Sequence, residues 1–114
     1  MVTDKEKQKM ERLLVQKGGF PSEIRGDIEK IESILIRYGA AKVILYGSLA
    51  RGDYRADSDI DVCYEGIPDE NYFRTVAECL METQRRVSIL DFKSIKGYFK
   101  QRILREGKLL YELK

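Results

Sequence analysis

Apolar residues recur at helical spacing from Ile24 through Ile28, Ile31 and Leu35 to Tyr38, where Gly39 stops the run, which predicts an amphipathic helix. Upstream, Thr3 with Glu6 forms a possible capping box, and Met10, Leu13, Leu14 and Val15 offer a thin apolar stripe, so the spacing predicts a loosely docked helix over Thr3–Lys17. Gly18, Gly19 and Pro21 separate the two. Beyond Gly39 the period changes. Val43–Tyr46 is a short apolar run ended by Gly47, and Ile60–Tyr64 alternates, with Ile60, Val62 and Tyr64 on one face and Asp61 and Cys63, led in by Asp59, on the other. Both read as strands. Pro68, Asp69 and Glu70 open a second helix, whose buried face is expected to comprise Tyr72, Phe73, Val76, Cys79 and Leu80. Val87–Phe92 reads as a third strand, Ile95 to Ile103 as a helix ending before Gly107, and Lys108–Tyr111 as a last short strand. The order predicts an α/β (α+β) domain, a small mixed sheet flanked by helices.

At 114 residues the chain is expected to form one domain, 21–114, preceded by an N-terminal helical extension over 1–20. Its 21 basic and 19 acidic residues nearly cancel and are spread along the chain, so direct nucleic-acid binding is not expected. Two cysteines, no apolar leader and no run long enough to span a bilayer suggest a reduced cytoplasmic protein without membrane attachment or disulfide. There is no histidine, which removes Ser-His-Asp and Cys-His nucleophile systems and every His-containing metal site. Acid-base or metal chemistry must then fall mainly to carboxylates. Association with further copies of the chain stays open.

The stretch Val43–Glu65, "VILYGSLARGDYRADSDIDVCYE", concentrates the candidate chemistry. Residues two apart on a strand share a face, so Asp59 and Asp61 project together with Cα atoms roughly 6 to 7 Å apart. At an effective dielectric of about 20 such charges repel by about 2 to 3 kcal/mol unless hydrated or paired with a cation. Gly47 and Ser48 come directly off a strand, where the backbone N–H groups of a tight turn and a small hydroxyl can reach phosphate oxygens. No Gly-Lys-Ser/Thr follows, so this is not a P-loop. Alone, the carboxylate pair is better read as a solvated strand edge and the Gly-Ser as an ordinary strand-ending turn. Together, Gly-Ser, ten residues and Asp-x-Asp form a pattern expected by chance in on the order of one in a thousand chains of this length. Asp91, near the end of "RVSILDF", shares a face with Val87 and Ile89 in an element that can lie beside the Asp59–Asp61 strand. The expectation is one site of three carboxylates suited, with phosphate oxygens, to Mg²⁺ or Mn²⁺.

"GSLARGDYRADSDIDV" with "VSILDF" downstream resembles the DNA polymerase β-like nucleotidyltransferase superfamily, and closely its minimal nucleotidyltransferase (MNT) family. The likeness runs from about Ser22 to Glu112 and includes the "ILREGKLLYE" ending. It implies that Gly47 and Ser48 hold the terminal phosphates of ATP, that Asp59 and Asp61 bind two Mg²⁺ ions, and that Asp91 completes the one activating the attacking hydroxyl. Arg51 matches a frequent family position and is a candidate phosphate contact. The resemblance further implies an antitoxin that transfers AMP to a tyrosine of a partner HEPN toxin. Transfer to a small-molecule hydroxyl and non-catalytic masking of a partner are the alternatives. The small-molecule relatives usually carry an added helical region, and masking needs no converging carboxylates.

Overall fold

The computed structural model describes residues 20–113, so the helix expected over Thr3–Lys17 lies outside the described residues. The elements are α1 (Ser22–Arg37), β1 (Lys42–Tyr46), α2 (Gly47–Arg51), β2 (Ile60–Glu65), α3 (Tyr72–Glu82), β3 (Val87–Asp91), α4 (Gly97–Glu106) and β4 (Lys108–Glu112). Short 3₁₀ turns lead into α3 and follow β3. The predicted order holds, with one addition: the turn after β1 is wound into the five-residue helix α2.

The strands form one sheet in the order β3-β2-β1-β4. β1 pairs antiparallel with both β2 and β4, while β2 and β3 run parallel, joined across the sheet face by α3. The Ile24, Ile28, Ile31 and Leu35 stripe of α1 is fully buried against Val43, Leu45, Ile60, Val62 and Tyr64. At about 1.5–3 kcal/mol per buried large aliphatic side chain, this α1-to-sheet contact is the main source of cohesion. α1 ends where Gly39, at φ +111°, turns the chain so that its N–H reaches Ile36 O and the Ala40 N–H reaches Leu35 O.

α3 covers the same face, tied down by Tyr72 Oη donating to Ile89 O at 2.8 Å. Its buried positions are Thr75 and Cys79, with Tyr72 and Val76 partly buried, whereas Phe73 and Leu80 are 84% and 51% exposed. Phe73 and Leu80 sit roughly 100° around the helix from that face, so assigning them to the core was incorrect. The opposite sheet face is covered by α4 and the segment before it. There Ile95 and Ile103 pack on Ile44, Tyr46 and Cys63 in a smaller second core. Cys63 and Cys79 are free, buried and in different cores. Burial raises their thiol pKa values to about 12 and about 11, which suits inert core residues. No described helix is long and apolar enough to cross a membrane.

Candidate active site

Strand direction determines which residues meet. β1 runs against β2, so the end of β1 adjoins the start of β2, and the parallel β3 brings its own start to the same sheet edge. There Tyr46 pairs with Asp61, and Asp61 with Ser88, placing the three side chains abreast on the α4 face. The edge opens into a cleft of about 550 Å³ lined by Gly47, Ser48, Asp59, Asp61 and Ser88, with α4 as its far wall.

Gly47 has φ +76°, and a Cβ built there would collide with Asp61 Oδ2, so the turn and the carboxylate can touch only because this residue is glycine. Ser48 follows in the first turn of α2. Asp59 lies one residue before β2, on a loop that Arg85 secures by donating to Ala56 O and, at 3.1 Å, to Ser58 O. Burial, and then the neighbouring Asp59 charge, raise the Asp61 pKa, an effect that Arg51 opposes. Asp59 itself is about half exposed and lies 3.8 Å from the highly exposed Arg86 Nε, a pair of little energetic weight. Arg51 lines the cleft with its guanidinium 3.3 Å from Asp53 and 3.7 Å from Glu106.

Asp91 does not belong to this site. It pairs with Tyr64, three residues along β3 from Ser88, and therefore lies roughly 10 Å further along the strand with its side chain on the α1–α3 face. The expectation failed on parity: Asp91 does share its face with Val87 and Ile89, but the parallel register gives that face to Tyr64 and Val62, not to Asp61. There its carboxylate accepts from Lys93 N at 3.1 Å and pairs with Lys93 Nζ at 3.5 Å, capping the 3₁₀ turn that follows β3. Asp91→Ala is accordingly expected to lower stability by about 1 kcal/mol, as for a lost cap, and to leave nucleotide affinity unchanged. Thermal melts and calorimetry on the same variant check both halves.

Sequence reasoning did not single out Tyr46, Ser88, Phe99, Arg102 or Glu106 as site residues, and these also line the cleft. Ser88 was visible as a polar position alternating between Val87 and Ile89, and Arg102 as a cation within an otherwise apolar helical stripe. Phe99 packs edge-on against Tyr46 with ring centroids 5.7 Å apart. The Tyr46 pKa is pushed up to about 12 mainly by burial and by the Asp61 charge, with the Ser88 hydrogen bond opposing the rise.

Among the described residues there is no cluster of three or more acidic, cysteine or histidine side chains that could hold a metal ion unaided. Asp59 and Asp61 fit a different arrangement, in which Mg²⁺ takes one or two carboxylates and completes its octahedron with phosphate oxygens and water. The partly desolvated Asp61, crowded by a like charge, is the kind of group such an ion relieves.

A carboxylate pair thus sits against a glycine turn at the open edge of a mixed sheet. The polymerase beta nucleotidyltransferase family profile matches residues 29–114, and the chain belongs to that family. A candidate protein adenylyltransferase of Methanocaldococcus jannaschii, MJ0604, is 35% identical, with 61% of this chain and 77% of the relative covered. A candidate minimal nucleotidyltransferase of known structure superposes with a TM-score of 0.63 at 27% identity, covering 75% of this chain and 90% of that one. The same fold occurs, at 18% identity and a TM-score of 0.59, in a complex of a tri-AMPylated Shewanella oneidensis HEPN toxin with an MNT antitoxin, with 75% and 70% of the two chains covered.

Proposed function

We propose that the chain is a Mg²⁺-dependent adenylyltransferase that moves AMP from ATP to a tyrosine hydroxyl of a HEPN-domain toxin, acting as the antitoxin of that pair. The observation that carries this reading is the contact of Gly47 with the Asp61 carboxylate, a turn able to cradle phosphate against a carboxylate able to hold a cation. The adenylyltransferase relative and the AMPylated toxin bound to a protein of the same fold support the acceptor assignment. The half-exposed Phe99 at the cleft and the exposed Tyr98 next to it in sequence suit a protein acceptor that docks there.

In this reading the Gly47 and Ser48 amides and the Ser48 hydroxyl hold the outer phosphates, and Arg51 and Arg102 form a cationic wall beside them. Asp59 and Asp61 hold the cation that accompanies the triphosphate, which when bound neutralises charge building on the leaving pyrophosphate. Leu90 and Phe99 offer an apolar surface for the base. The tyrosine oxygen bonds to the α-phosphorus in line, the bond to the β-phosphate bridge breaks with its electron pair leaving on pyrophosphate, and the hydroxyl proton passes to water. Incubation with α-labelled ATP, Mg²⁺ and the HEPN partner, followed by adduct mapping with mass spectrometry, is expected to find the label on a partner tyrosine. A partner that binds yet is never modified, or label found only on small acceptors, would overturn the proposal.

A further inference from the structure

Across the sheet edge Tyr46, Asp61 and Ser88 stand in one row, each about 5 Å from the next. The β3 position opposite Asp61 is therefore the place on that strand from which a short carboxylate could share a cation site with Asp61. It is occupied by Ser88, a neutral hydroxyl in the same row as Tyr46. The remaining acidic groups do not make up the deficit. Asp91 is on the other face of the sheet, and Glu106, the third carboxylate lining the cleft, lies between two guanidinium groups, 3.7 Å from Arg51 and 3.5 Å from Arg102. Hard divalent cations take anionic oxygen ligands and shed water reluctantly, and a serine hydroxyl with two arginines nearby is a poor inducement.

We propose that this cleft binds one divalent ion with its nucleotide, and that Ser88 is the neutral corner that denies a second ion its ligand. The inference rests on the proposed cation site at Asp59 and Asp61. An acceptor hydroxyl entering beside Ser88 meets a neutral hydroxyl there and not a carboxylate base, in keeping with loss of its proton to water.

The test counts bound Mn²⁺ by electron paramagnetic resonance on the full chain saturated with AMP-PNP, against nucleotide alone. Wild type is expected to hold one ion per bound nucleotide. Ser88→Asp is expected to hold two, and to show a larger Mn²⁺-induced rise in melting temperature than wild type, because the ion offsets the added like charge. Two ions in wild type would overturn the inference while leaving the Asp59–Asp61 site standing. Nucleotide bound with no ion retained would remove that site and the inference with it. A folded Ser88→Asp that still binds one ion would show that Ser88 is not the limiting corner, and if that variant does not fold, the wild-type count decides alone.

Discussion

Asp61→Asn is expected to reduce adenylyl transfer by at least about a hundredfold while leaving the protein folded. Asp61 is the inner member of the pair, packed against Gly47 and centred between Tyr46 and Ser88, so an amide there removes the charge nearest the Gly47 turn. Loss of a cation ligand acts on transition-state charge and should appear mainly in kcat, with Mg²⁺ titration shifted to higher concentration. Without metal the same variant is expected to be slightly more stable than wild type, by a few tenths to about 1 kcal/mol, the scale of partly exposed charge pairs. The sign follows from the raised Asp61 pKa. In wild type the ionised carboxylate destabilises the fold above the raised folded value, and this penalty is lost as pH falls through that value and below the ordinary aspartate value near 4, where both states are protonated. The stabilisation of Asp61→Asn should therefore be full at neutral pH and absent in acid. Undiminished transfer in the variant would dissolve the cation assignment.

Gly47→Ala is expected to weaken ATP binding by about tenfold or more and to lower stability by about 1 to 2 kcal/mol, the usual penalty for a side chain in the left-handed region. Two independent effects add here. The φ of +76° strains any L-residue, and the new methyl would press on Asp61 Oδ2, displacing the carboxylate that should face the cation. Ser48→Ala removes one hydroxyl and leaves the backbone cradle intact, so its loss is expected to be smaller, about 1 kcal/mol of binding energy. Calorimetric titration of ATP into both variants, alongside melts, separates the two. Equal affinities in wild type and a folded Gly47→Ala would place the phosphates elsewhere.

Much of this molecule was legible before its structure. Every described helix and strand longer than one short turn was expected in order, because α1 and the strands are marked by strong local periodicity and bounded by Gly39, Gly47 and Gly107. The helix α2 escaped because five residues carry too little pattern to distinguish a wound turn from an open one. On α3, helical spacing of the apolar residues placed Phe73 and Leu80 on the inward face, whereas the face that packs is rotated towards Thr75 and Cys79. Gly47, Ser48, Asp59 and Asp61 line one cleft because one short segment carries all four, and the antiparallel return of β2 folds them onto each other.

Asp91 and Ser88 mark the boundary between the two kinds of information. The alternation of residues 87 to 91 determines that Asp91 and Ser88 face opposite ways, and no structure was needed for that. Which of those faces meets Asp61 depends on the register and direction of β3 against β2, a pairing between residues 27 positions apart, as in Asp61 with Ser88. Local pattern in a sequence is written by the neighbours a residue will have along the chain. Register is chosen by how α3 packs its crossover and how two cores close, so only the tertiary structure could put a serine, and not an aspartate, beside Asp61.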